Sequence, residues 1–109
     1  MDPRIARMVE LMEQRLHESL SVARLAADVN LSASRCVQLF RQDTGVSPRQ
    51  YLHELRLERA RTLLERTFLS VPEVMRRVGL RDADRFERDI TRRFGAPPNE
   101  LRHSGQRMA

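Results

Sequence analysis

Ser34, Val37, Gln38 and Arg41 fall at steps of three and four, the spacing that stacks side chains on one helical face. Their chemistry is complementary to the edges of DNA bases. A glutamine carboxamide can bond adenine bidentately, a valine methyl suits the thymine methyl, and an arginine suits guanine or a phosphate. A second set lies fifty residues on, at Asp84, Glu87, Arg88 and Arg92. There Arg88 could grip guanine through O6 and N7. Asp84 and Glu87 are repelled by phosphate, but can accept from cytosine N4 or orient a neighbouring arginine. Arg35 and Arg85 complete the two sets, while Arg76, Arg77, Arg81 and Arg93 are candidates for backbone contacts. The competing reading is a solvated polar face, with Asp84–Arg88 and Arg88–Arg92 as intrahelical ion pairs.

The elements that must hold these sets read as helices throughout, with no sustained period-two alternation. Asp2-Pro3 opens a helix over about residues 3–18, carrying Ile5, Met8, Val9, Met12 and Leu16. Ser21 caps a short helix with Leu25, Ala26 and Val29. After the turn at Asn30-Leu31, Ser32 caps a helix that buries Cys36, Leu39 and Phe40 and ends at Thr44-Gly45. Ser47-Pro48-Arg49-Gln50 is a capping box opening a helix to about Arg66, roughly 27 Å of rod. Ser70-Val71-Pro72-Glu73 is a second capping box. Asp82 caps the next helix, with Phe86 and Ile90 inward, and Pro97-Pro98 begins a last one ending near Arg102.

Residues 21–51 and 70–101 repeat one unit. Ser21-Val22 matches Ser70-Val71, Leu25 matches Val74, Val29 matches Val78 and Leu31 matches Leu80. One residue is added at the turn, and then Ala33 matches Ala83, Cys36 matches Phe86, Phe40 matches Ile90, Gly45 matches Gly95 and Pro48 matches Pro98. Each copy is a capped helix, a tight turn and a second capped helix with an inward i, i+4 pair. That is the helix-turn-helix plan, in which the first helix braces the second and the second presents its outer face to the major groove. The division read from this is a first subdomain at 1–46, a linker helix at 47–66 and a second subdomain at 67–109. The doubling tips the outward face of the first unit from a solvated surface toward base readout, while for the second unit base readout and an intrahelical ion-pair network both stay open.

Composition narrows the alternatives. A chain of 109 residues with 40% hydrophobic and 5% aromatic content can hold a modest core but not a large substrate cavity. No apolar run approaches a membrane span, no signal-peptide pattern is present, and a cytosolic compartment is the default expectation. The single cysteine, Cys36, excludes an internal disulfide and reads as a small buried hydrophobe. His17, His53 and His103 fit no metal spacing, and no nucleophile elbow, phosphate loop or paired-carboxylate site occurs. No cofactor is expected, and an enzyme has no site to name. All 20 basic residues are arginine, giving a net charge of +5 and a bias toward polyanionic partners. The excess is confined to one half: residues 1–47 carry six Arg and six acids, residues 48–109 fourteen Arg and nine acids.

The order of Leu25-Ala26, Ser32, Phe40-Arg41, Gly45, Ser47-Pro48, Tyr51-Leu52, Arg56-Leu57, Ala60 and Leu63-Leu64 resembles the AraC/XylS-type DNA-binding domain. Ser70-Val71, Glu73-Val74, Gly79, Asp82, Phe86, Arg88, Phe94-Gly95, Pro98 and Arg102 continue the pattern, so that it covers roughly residues 5–103. Leu80, Met75, Ile90, Cys36 and Gln38 depart from the residues usual in the family. The resemblance implies an all-α fold of seven helices in two helix-turn-helix subdomains joined by a long central helix. It also implies sequence-specific transcription control, mostly activation, with base contacts at Ser34, Val37 and Gln38. The expected partner is double-stranded DNA, bound by a monomer, with RNA polymerase as a candidate second partner and no membrane. The competing function is a helical protein-interaction module acting through RNA polymerase or another regulator. Because only a few residues precede the first helix, the chain reads either as a stand-alone member or as part of a longer regulator.

Overall fold

The computed structural model describes residues 1–107, with side chains through His103. The last two residues of the 67–109 stretch lie outside it. Among the described residues there are seven helices and no strands: α1 Pro3–Gln14, α2 Val22–Asp28, α3 Ala33–Thr44, α4 Pro48–Arg66, α5 Val71–Val78, α6 Ala83–Phe94 and α7 Pro98–Arg107. No helix among them is long and apolar enough to cross a membrane.

The chain forms two compact units, one from Met1 to Leu55 and one from Arg56 onward. In the first, Ile5, Met8 and Met12 of α1 pack with Leu25 of α2, Cys36 and Phe40 of α3, and Leu52 of α4. In the second, Leu57, Ala60 and Leu64 of α4 pack with Val74, Met75 and Val78 of α5, Phe86 and Ile90 of α6, and Leu101 of α7. The helix read as a linker from its length is thus a wall of both cores. Met75, larger than the residue usual in the family, is 6% exposed and is taken into the second core.

The same local chemistry builds both helix-turn-helix pairs. Ser21 accepts from the Arg24 N–H at the start of α2, and Ser70 from the Glu73 N–H at the start of α5. The turn after each is closed by a left-handed residue, Asn30 at φ 59° and Gly79 at φ 77°. In each, the next N–H reaches back to form a six-to-one bond, Leu31 to Ala26 O and Leu80 to Met75 O, both at 2.9 Å. Only glycine and, at small cost, asparagine take up that conformation readily, which is why those two residue types stand there. The second helices begin at Ser32 and Asp82, whose side chains accept from Arg35 N–H and Arg85 N–H at 3.1 Å. They end at Gly45 and Gly95, also left-handed.

Two boundaries differ from the sequence reading. α1 stops at Gln14 rather than near residue 18, because Arg15 leaves the helical region at φ −124°, ψ 32°. Leu16 is nonetheless 5% exposed and part of the core. Apolar spacing reports which side chains are buried, and a turn can deliver Leu16 to the core as well as a helix can. α7 runs to Arg107 rather than Arg102. Leu101 is its last apolar position, so hydrophobic periodicity carries no information beyond it. The second capping box also closes differently from the usual form, with the Ser70 hydroxyl donating to Glu73 Oε1 at 2.9 Å.

Candidate nucleic-acid interface

On α3, Cys36, Leu39 and Phe40 are buried, and the opposite face carries Ser34, Arg35, Gln38 and Arg41, all exposed, with Val37 half-buried at its edge. The buried side is anchored by Phe40, whose ring meets Tyr51 edge-on at 5.3 Å and 75°. The Cys36 thiol donates to Met8 Sδ at 3.3 Å, and burial pushes its pKa up. That keeps it a thiol packed in the core rather than a reactive thiolate. Outside, Arg35 Nη1 donates to Gln38 Oε1 at 2.8 Å. The two lie one turn apart, and their contact is absent from the sequence reading.

On α6, Phe86 and Ile90 are 2% and 0% exposed and fix the helix to its unit. Asp84, Arg85, Glu87, Arg88 and Arg92 are exposed, and Asp84, Glu87, Arg88, Thr91 and Arg92 line a shallow open depression. Among the described residues no ion pair joins Asp84, Arg88 and Arg92. An intrahelical pair does form from Arg85 Nε to Asp89 Oδ2 at 3.5 Å. Asp89 was not singled out in the sequence, although its i, i+4 spacing from Arg85 could have revealed it. Thr91 turns its hydroxyl back onto Glu87 O at 2.7 Å, so it presents less polarity outward than its position suggests.

The wider arginine set divides. Arg76, Arg77 and Arg81 are exposed at the end of α5 and in the turn that follows. Arg93 is held instead against α4: it donates to Glu58 Oε1 at 2.5 Å and lies 5.6 Å from the centre of the Phe94 ring. Arg61 lies 4.9 Å from the centre of the same ring and pairs with Glu65 at 3.4 Å. These contacts brace the C-terminal end of α6, a structural use of Arg93 that competes with a backbone contact.

Each unit therefore presents one helix whose inner face is locked by core packing and whose outer face offers groups able to bond base edges and phosphates. A helix-turn-helix domain family profile matches residues 25–104, spanning both units. The regulator GbdR of Pseudomonas aeruginosa is 36% identical over 92% of this chain and 27% of its own length. The activator RhaS of an Enterobacter species is 33% identical over 93% and 36%. The chain thus spans about a third or less of these relatives. An AraC-type transcriptional regulator structure from Chromobacterium violaceum superposes with a TM-score of 0.90 at 32% identity, covering 98% of this chain and 96% of that one. The DNA-binding domain of the transcriptional factor AdpA, solved with a target DNA, gives 0.89 at 31% identity, covering 96% and 95%. Taken with the doubled helix-turn-helix and its matched caps and turns, these likenesses show that the chain belongs to the AraC-type helix-turn-helix DNA-binding domains.

Proposed function

We propose that this chain reads DNA sequence in the control of transcription, activation in the first instance. It binds double-stranded DNA by placing α3 and α6 in the major groove. The observation that carries this is the pair of exposed, polar outer faces on helices whose inner faces are fully buried. On α3 the readers are Ser34, Val37 and Gln38, with Arg35 and Arg41 beside them; on α6 they are Asp84, Glu87 and Arg88, with Arg85 and Arg92. Relatives named as regulators and activators, and one solved on its target DNA, support the same reading. The chain acts as a monomer, with RNA polymerase as a further partner.

Enrichment of bound duplexes from a random pool, followed by a salt titration on the winning site, tests the proposal. A defined motif and a steep fall of affinity with salt are expected, because phosphate contacts release counterions. Gln38→Ala should then cost about 1–3 kcal/mol on the selected site and relax the preference at one or two positions. Unchanged affinity and base preference would remove Gln38 from the readers.

The exposed carboxylates of Asp84 and Glu87, which form no ion pair among the described residues, favour a second reading. In it the second unit serves as a protein-interaction surface and contributes little to DNA binding. Charge reversal at Arg88 and Arg92 that left DNA affinity intact would support this alternative.

A further inference from the structure

Glu87 is the fifth residue of α6 and is exposed on its outer face. Nothing in the helix calls for an acid there. An acid in the first turn, such as Asp84, is favoured by the helix dipole, but Glu87 lies beyond that turn. Its neighbours at three and four residues are Ala83, Asp84, Ile90 and Thr91, so the helix offers it no cation and one like charge. Among the described residues it enters no ion pair, whereas Asp89 takes Arg85 at 3.5 Å and Glu58 takes Arg93 at 2.5 Å. The repeat supplies a control: the matching place in α3 holds Val37, so the plan of the unit does not need an acid.

Docked in a major groove, this carboxylate is repelled by phosphate, and Arg88 and Arg92, which border the same depression, offset that repulsion. The base edge then decides. An ionised carboxylate has two acceptor oxygens and no hydrogen to give. Guanine shows it N7 and O6, both acceptors, and thymine shows O4 and a methyl group. No rotamer of Glu87 makes a hydrogen bond to either, so a desolvated charge is left unpaired. Adenine gives a hydrogen from N6 but sets the acceptor N7 beside it. Cytosine gives a hydrogen from N4 and has no second acceptor on its own edge. Leaving a buried charge unpaired costs more than a made bond gains, so the acid discriminates chiefly by what it refuses.

Resting on the DNA-reading function above, we propose that Glu87 is a specificity residue that works by exclusion: it rejects guanine and thymine at the base it faces and leaves cytosine preferred there.

The test compares the motifs enriched from a random duplex pool by the wild-type chain, Glu87→Ala and Glu87→Gln. The wild type should show cytosine at the position whose preference Glu87→Ala erases. Glutamine keeps the shape of the side chain, removes the charge and adds a donor able to meet guanine or thymine. Glu87→Gln should therefore admit those bases at that position, with discrimination in favour of cytosine falling about tenfold, the scale of one good base contact. Its affinity for duplex lacking the site should rise, because a charge repelled by phosphate is gone. Glu87 is exposed, and Thr91 bonds its backbone carbonyl rather than its side chain. The melting curves should superimpose, so unfolding cannot mimic the result. A Glu87→Gln motif identical to that of the wild type, with affinity raised alike on all sequences, marks an acid that only repels phosphate and overturns the proposal. So does any base other than cytosine at the position that Glu87→Ala erases. A wild-type chain that enriches no sequence overturns the DNA-reading function itself, and does so before any variant is compared.

Discussion

Gln38 and Phe40 stand two positions apart on α3 and face opposite environments. Phe40 is completely buried against Tyr51 and the α1 methionines, while Gln38 is exposed. Phe40→Ala should therefore destabilise the first unit by roughly 3–5 kcal/mol, from lost burial plus the cavity left behind. Denaturant unfolding checks this, and a midpoint equal to that of the wild type would show that the inward face is wrongly assigned. The division between the two faces was legible in the sequence because burial is worth kilocalories per side chain and repeats with the helical period. The pairing of exposed side chains was not. Whether Arg85 chooses Asp89 or solvent, and whether Arg35 reaches Gln38, is decided by tenths of a kilocalorie among rotamers that the period does not constrain. The contact of Arg93 with Glu58 is hidden for a related reason, since the two lie 35 positions apart on different helices.

At the scale of elements, most helix starts could be read from their caps, because a serine or aspartate that bonds the second or third N–H is a local device needing no tertiary context. Asp2 is the most heavily used of these caps. Its carboxylate accepts from the Arg4 N–H at 2.8 Å and from the Arg4 guanidinium at 2.9 and 3.2 Å. Its own N–H donates to Asp43 Oδ2 at 2.7 Å, tying the start of α1 to the last turn of α3. The guanidinium bonds, and then the backbone bond, lower its pKa from 3.8 to about 2. A depressed carboxylate contributes stability above its unfolded value and loses it as pH falls toward the folded one. Asp2→Asn keeps a good cap and removes the charge. The variant should therefore melt below the wild type near neutral pH, and the gap should close between pH 3.8 and about 2. Paired melting curves across that range check the sign. A gap that stayed constant down to about pH 2 would mean that the cap gains nothing from ionisation. Helix ends were harder to read than starts: α1 stops before its apolar stripe does, and α7 continues after its stripe has finished.

For the whole molecule, the sequence repeat was enough to specify two units of one design, since each device in the first recurs in the second at an offset of 49 or 50 residues. It did not reveal that α4, 19 residues long, gives side chains to both cores. Length alone makes such a helix look like a spacer. At 1.5 Å per residue it extends about 28 Å, comparable to the ~34 Å between successive major-groove segments on one face of B-DNA. If each unit docks its second helix, one protein should protect about two turns of duplex, with contacts in two clusters ~10 base pairs apart. The site should be asymmetric, because Ser34, Val37 and Gln38 offer neutral donors, acceptors and a methyl group, whereas Asp84, Glu87 and Arg88 offer charge. The charge balance sharpens this expectation: residues 1–47 are neutral and the whole +5 lies beyond them. Removing Arg88 and Arg92 should therefore flatten the salt dependence more than removing Arg35 and Arg41. Hydroxyl-radical footprinting on a selected site, with stoichiometry from sedimentation, measures both features. Two clusters and one protein per site are expected. A single cluster, or a palindromic site holding two proteins, would leave the second unit as a brace for the first or as a surface for another protein.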